Sequence, residues 1–241
     1  MNLEARLDEV RTEYLHRIGG PQAGIGPAAM QADGEAPVAS RIPLADVLSY
    51  ISGRSGKMLR PRMLLAAAAT QGGDCFRSRR TLLLAVCVEM LHNASLLHDD
   101  IIDRALTRRG QPSVNARWGN GTAVLVGDWL LTQVMQLLDE ADDREATRRV
   151  NRTVQQMVLA ELAPVPDSEE AYLKVVDGKT ASLFATACWL GNPAYEAFGL
   201  HYGRLFQLRD DLADGELPPF GRRLIEQEEL AIKQLDNVLN L

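Results

Sequence analysis

The sequence predicts an all-α, single-domain bundle of antiparallel helices, and three observations carry that prediction. Apolar residues recur with helical spacing in almost every segment. Aromatic residues make up only 5 % of the 241 residues and β-branched residues rarely cluster, which disfavours a sandwich or barrel. Apolar residues at 46 % and charged residues at 24 % match an ordinary globular chain, so a sizeable core can be buried and general disorder is excluded.

The elements follow in order. Leu3, Leu7, Val10, Tyr14 and Ile18 repeat at i, i+3, i+4 and i+7, which predicts an amphipathic helix over 3–18. Gly19-Gly20-Pro21 ends it, and the Gly/Ala/Pro-rich stretch 19–40 reads as a flexible connector. Further helices are expected at 43–53, 60–71, 78–104, 120–140, 143–163, 168–190, 194–214 and 223–240. No internal repeat and no composition shift marks a second domain in 1–241.

Charge and cysteine usage narrow the function classes. The net charge of −6 argues against broad nucleic-acid or anionic-membrane binding. Cys75, Cys87 and Cys188 are odd in number and widely spaced, which fits a reducing, cytoplasmic setting better than a disulfide framework. The start, Met1-Asn2-Leu3-Glu4-Ala5-Arg6, carries an acid where a signal peptide carries an apolar core. The most apolar run, 82–102, is interrupted by Glu89, His92, His98, Asp99 and Asp100, so no transmembrane segment is expected. Each central charge costs about 2.5–3.5 kcal/mol on insertion.

The chemistry concentrates in two acidic clusters. In His98-Asp99-Asp100-Ile101-Ile102-Asp103, helical geometry puts Asp99 and Asp103 on one face, with Asp100 about a quarter-turn away. Three carboxylates projecting together repel one another unless a cation neutralises them, and oxygen-only ligands favour Mg²⁺ or Ca²⁺ over zinc. One such cluster alone reads equally as a solvated acidic helix end. A second stands at Asp210-Asp211-Leu212-Ala213-Asp214, with the Gln207 amide on the same face. Two such helices packed antiparallel aim six carboxylates across a cavity, enough to hold several divalent ions around a diphosphate.

Basic residues supply the other half. Gly56-Lys57-Met58-Leu59-Arg60-Pro61 puts Lys57 and Arg60 at a helix start, Arg108-Arg109-Gly110 follows the first acidic cluster, and Lys179-Thr180 precedes an apolar helical run. Arginine and lysine beside carboxylate clusters in an acidic chain make sense where an anion is held.

These segments, with Glu89-Met90-Leu91-His92-Asn93-Ala94-Ser95-Leu96-Leu97, Gln111-Pro112-Ser113, Gly127-Asp128-Trp129-Leu130, Lys179-Thr180-Ala181-Ser182-Leu183-Phe184 and Phe206-Gln207-Leu208-Arg209, stand in the order of a known family. Over 41–214 the chain closely resembles the trans-polyprenyl diphosphate synthases. The resemblance implies an isoprenoid-synthase bundle with a central cavity, in which an allylic diphosphate ionises, isopentenyl diphosphate attacks and a proton is lost. It implies up to three Mg²⁺ ions held by Asp99, Asp100, Asp103, Asp210, Asp211 and Asp214. Arg108, Lys179, Thr180 and Gln207 would touch the allylic diphosphate, and Lys57, Arg60, His92 and Arg109 the isopentenyl diphosphate. It also implies a homodimer or a heteromer. Small Ala94 and Ser95, with Leu91 a turn further back, leave room for a medium- or long-chain product. The step from Asp99 back to Leu91 deepens the slot by roughly 12 Å.

The pattern breaks after Asp214, where the family continues with a Gly/Lys-containing loop and several helices. Here 27 residues follow, so 215–241 reads as a shortened C-terminal part. Gly215-Glu216-Leu217-Pro218-Pro219-Phe220 leads to one amphipathic helix bearing Leu224, Leu230, Leu235 and Leu239. A catalytically weak or inactive subunit of a heteromeric synthase is therefore the alternative function. A His-Asp phosphohydrolase is disfavoured because only His16 and His92 precede His98, and a terpene cyclase does not need the Lys57/Arg60 site.

Overall fold

The computed structural model describes residues 2–19, 44–53 and 56–239, with the side chains of the last helix described to residue 235. The connector expected at 19–40 lies, from residue 20 onward, outside the described residues. The chain runs α1 (Leu3–Gly19), α2 (Leu44–Ser52), α3 (Leu59–Thr70), α4 (Gly73–Arg77) and α5 (Arg79–Ile102). A two-stranded hairpin, β1 (Thr107–Arg108) and β2 (Gln111–Pro112), precedes α6 (Val114–Trp118), α7 (Asn120–Glu140) and α8 (Arg144–Glu161). Then come α9 (Glu169–Val176), a π turn (Asp177–Ala181), α10 (Ser182–Gly191), a 3₁₀ turn (Pro193–Tyr195), α11 (Glu196–Asp214) and α12 (Gly221–Leu239).

The core is built around α5. Ser78 caps it by accepting the Thr81 N–H, and every residue from Thr81 to Leu91 is buried. A helix enclosed all round must run through the middle of a bundle. It packs chiefly on α7, and also on α3, α1 and α10. Leu7, Val47, Leu64, Leu83, Leu130, Val150 and Leu183 join one continuous apolar cluster across seven helices. By length and composition α5 and α7 could each cross a membrane, but 72 % of the apolar window of α5 is buried inside the bundle, against 44 % for α7. The exposed share of α7 includes Val124, Leu125 and Met135.

Two differences from the sequence reading bear on the site. The single helix expected at 168–190 is α9 and α10 joined by the π turn. The turn lies against both neighbours: a Cβ on Gly178 would meet the Ala160 Cβ at 2.6 Å, and one on Gly203 would meet the Ala181 Cα at 2.5 Å. The other difference is the hairpin. Its two-residue loop, Arg109-Gly110, has φ of 54° and 74°, the doubly positive signature of a type I′ turn.

Candidate active site

Both acidic clusters end their helices in the same way. At the end of α5 the Ala105 N–H donates to Asp100 O and the Arg104 N–H to Ile101 O. At the end of α11 the Glu216 N–H donates to Asp211 O and the Gly215 N–H to Leu212 O. This crossed pair of bonds is the Schellman motif, and the residue at its left-handed position is Arg104 (φ 51°) in one case and Gly215 (φ 77°) in the other. The shared geometry puts Asp99, Asp100 and Asp103 in positions equivalent to Asp210, Asp211 and Asp214.

Within the first cluster the three acids have different surroundings. Asp100 is 3 % exposed, and its Oδ1 accepts from Arg108 Nε at 2.9 Å and Nη2 at 2.5 Å. Asn115 Nδ2 donates to the backbone carbonyls of Asp100 and Ala105, both at 3.1 Å, closing the hairpin onto the helix end. Asp99 is partly buried; desolvation, with Glu161 and Asp103 nearby, pushes its carboxyl up to about 6 against the pull of Lys179 and Arg108. Asp103 is exposed. His98 does not join them: its Nε2 lies 3.5 Å from both Val124 O and Asp128 Oδ1 of α7. The contact needs Gly127, where a Cβ would fall 2.3 Å from the imidazole.

In the second cluster, Asp211 is held by neutral donors, Tyr172 Oη at Oδ2 and Gln207 Nε2 at Oδ1 (2.7 Å). Gln207 Oε1 in turn accepts from Thr180 Oγ1 at 2.6 Å. Asp210 is raised above the ordinary carboxylate range by desolvation and by Asp214 and Asp211, with Arg60 opposing. Lys179 lies between the clusters. Its Nζ pairs with Glu161 at 2.7 Å, and Asp99 and Asp103 also attract it. It shares a cavity of about 610 Å³ with Tyr172, Gln207 and Asp211.

A second hollow, of about 370 Å³, is lined by Lys57, Arg60, Glu89, His92, Arg109 and Asp210 among others. Arg60 is 8 % exposed, lies 4.3 Å above the Phe184 ring, and has its Nε buried without a hydrogen-bond partner among the described residues. Burial pushes its guanidinium down to about 10, with Glu89 opposing. Desolvation and the charges of Arg60, Arg109 and Arg108 hold His92 well below its ordinary value, so it stays neutral. Gly56 is required because a Cβ there would stand 2.7 Å from Arg109 Nη2. Met58, at the start of α3, has φ 47°, and strained backbone of this kind gathers at ligand sites. An enclosed guanidinium with an orphaned N–H, flanked by other cations, is a place for an anion.

The residues fit a hard divalent cation. The donors are all carboxylate oxygens, and repulsion has raised one acid in each cluster. Among the described residues no three His, Cys, Asp or Glu side chains form a ready cage. Mg²⁺ suits such a site, since it takes one or two carboxylates and completes its shell with phosphate and water.

Sequence reasoning did not single out Glu161, Tyr172 or Glu89 for a role. Glu89, 4 % exposed on the apolar helix α5 and raised by desolvation, was the one with a signal: an acid inside an apolar run. Of the slot residues, Leu91 and Ala94 are buried in the core, while Ser95 is half-buried with its hydroxyl donated to His92 O at 2.9 Å.

Comparison with known proteins agrees with this geometry. A family model described as Polyprenyl synthetase matches residues 42–218. The chain is 34 % identical over 193 residues to an all-trans-nonaprenyl-diphosphate synthase (geranyl-diphosphate specific) of Rhodobacter capsulatus, covering 73 % of this chain and 59 % of that protein. It is 32 % identical to heptaprenyl diphosphate synthase component 2 of Geobacillus stearothermophilus, covering 78 % of this chain and 63 % of the relative. It therefore spans about six tenths of the length of these relatives. It superposes with a TM-score of 0.69 and 28 % identity on a Caulobacter crescentus CB15 polyprenyl synthase complexed with calcium and isoprenyl diphosphate, covering 86 % of this chain and 62 % of that one.

Proposed function

The chain belongs to the polyprenyl synthetase family, and from that premise we propose that it is a Mg²⁺-dependent trans-prenyltransferase, condensing isopentenyl diphosphate with an allylic diphosphate to a medium- or long-chain polyprenyl diphosphate. One observation carries the reading: two acid triads on identical helix terminations, with Lys179 between them and the buried Arg60 beside Asp210.

Asp99, Asp103, Asp210 and Asp214 hold the metal, and Asp100 and Asp211 join them through what their own partners leave free. Up to three Mg²⁺ ions, when bound, neutralise charge that develops on the departing diphosphate. Arg108, held at Asp100, and Lys179, beside Glu161, grip the allylic diphosphate from this chain's side, with Thr180 and Gln207 completing the contact. Lys57, Arg60, His92 and Arg109 hold the isopentenyl diphosphate. Fixed donors of this kind stabilise the leaving group where water is excluded, and losing one raises the barrier by about 2.7–4 kcal/mol. No side chain in the hollow is a natural base: His92 is ringed by cations and Glu89 is drawn to them, so the released diphosphate takes the proton. Cys87 and Cys188 are buried thiols pushed up to about 12, unsuited to nucleophilic work. The free cysteines suit the cytoplasm. The exposed apolar face of α7, with Leu125 70 % and Met135 68 % exposed, supports a homodimer.

A second reading is favoured by the likeness to a protein named as one component of a heptaprenyl synthase and by the partial span of the relatives. In it, the chain is a subunit that needs a partner for turnover. The deciding experiment incubates the purified chain with Mg²⁺, isopentenyl diphosphate and farnesyl diphosphate, with products analysed by mass spectrometry. Turnover alone supports the enzyme. Turnover only after a complete synthase subunit is added supports the second reading, and none in either case removes both.

A further inference from the structure

The last helix carries an anomaly on its inner face. Gly221, Leu224 and Glu228 are buried at helical spacing, so a carboxylate 6 % exposed sits on the face with which α12 meets α11. Acids are almost never buried without a partner. Glu228 has two: its Oε2 lies 2.5 Å from His201 Nδ1 and its Oε1 3.5 Å from Arg204 Nη1, both on α11. Arg204 is the centre of the group. Its Nε and Nη2 donate to the two oxygens of Asp177 at 2.5 and 2.7 Å, a bidentate grip, and the ion pairs hold its guanidinium above its ordinary value.

Asp177 is the first residue of the π turn, and the next residues of that turn are Gly178, Lys179 and Thr180. The turn is wedged between α8 at Gly178 and α11 at Gly203, with no space for a side chain at either contact. A π turn is intrinsically poor in hydrogen-bond geometry and persists where surroundings over-determine it. Two backbone contacts and one bidentate ion pair do so here. Exposed pairs Arg209–Glu229 (2.7 Å) and Arg223–Glu169 tie the same helix to α11 and α9.

We propose that Arg204 and Glu228 are positioning residues: through Asp177 they hold the π turn so that Lys179 and Thr180 face the diphosphate site, which makes the docking of α12 part of the grip on substrate. The half of this that concerns substrate rests on the function proposed above; the half that concerns the turn does not. Arg204 touches neither acid cluster, so its effect is transmitted and not direct.

The test compares the full chain with Arg204→Met and with Glu228→Gln, which keeps the shape of the side chain. Two quantities are read: amide hydrogen exchange at 178–182, with 82–91 of α5 as the internal reference, and Mg²⁺-dependent binding of inorganic pyrophosphate by calorimetry. Loss of the charged bonds is expected to speed exchange in the turn about tenfold while α5 is unchanged. Pyrophosphate affinity is expected to fall about tenfold, as is usual when a supporting partner of a binding group is removed. Arg204→Lys, which keeps one charged contact, is expected to recover part of both. Unchanged exchange and affinity with a lowered melting temperature would make the group a plain strut and overturn the proposal. If Arg204→Met does not fold, Glu228→Gln is judged on the same two readings. Should the parent itself bind no pyrophosphate, the functional reading fails, and exchange in the turn alone decides whether the clamp exists.

Discussion

The ends of α5 and α11 are built to the same plan and set in different surroundings. Each carries Asp-Asp-x-x-Asp, each closes with the same crossed pair of amide bonds, and in each the first acid is raised by its neighbours. The differences lie behind and beside the carboxylates. Asp100 is buried and held by a cation, Arg108, whereas Asp211 is more open and held by the neutral Tyr172 and Gln207. Four residues before Asp99 stands Ser95; four before Asp210 stands Phe206, whose ring packs 5.5 Å from that of Phe184. The first end is rigid and has small residues behind it, while the second is looser and backed by an aromatic. Identical chemistry at the tip thus coexists with a division of labour in which only the first helix leaves space for a growing chain.

The comparison can be broken most severely at the acids themselves. Asp99→Ala and Asp210→Ala are each expected to lower turnover by about 10²–10³-fold with far-UV circular dichroism unchanged. A large loss from one and a normal rate from the other would end the equivalence of the two triads. Next is the unequal support. Arg108→Met strands a buried carboxylate and should destabilise the fold by about 3 kcal/mol in urea denaturation, against about 1 kcal/mol for Tyr172→Phe. Equal costs would show that the first end is no more built-in than the second.

The third test uses protons in metal-free protein. The Asp99 carboxyl is raised from 3.8 to about 6. Between about pH 4 and 6 the folded chain keeps a proton that the unfolded chain has lost, so stability falls as pH rises through that window. Asp99→Asn lacks this penalty and should be more stable than the parent by about 2 kcal/mol above pH 6 and no different near pH 4. The parent and variant running parallel across that range would remove the repulsion ascribed to the first cluster. The mildest change is Ser95→Phe, which makes the first helix resemble the second. It is expected to shorten the product by one or more isoprene units with little effect on stability, read by mass spectrometry of the products; an unaltered product length would close the slot.

Much of this was legible before any coordinates. The 3.6-residue period marks α1, α5, α7 and α8 because each lays its stripe on, or runs through, the same core, and the acid pairs declare themselves by spacing alone. What escaped has physical reasons. Arg104 ends α5 in a conformation normally taken by glycine, and Arg109 does the same in the hairpin, so neither turn carries the usual residue signal. Glu161, Tyr172 and Arg204 gain meaning from partners 18, 39 and 27 residues away, distances at which no local pattern exists. The break at Asp177 is invisible because its residues are apolar or small enough to continue a regular helix, and only tertiary contact makes them widen.

That widened turn has a genetic corollary. A π turn spends one more residue per revolution than an α-helix, and each residue of regular helix rotates its successor by about 100°. Removing a single codon within 177–181 would therefore let α9 and α10 fuse into one smooth rod while swinging everything on one side of the cut by more than a quarter-circle. Substitutions on this surface are graded in their effect; a one-residue gap here would act as a phase error, and sequences related to this one should keep the length of the segment even where they alter its letters.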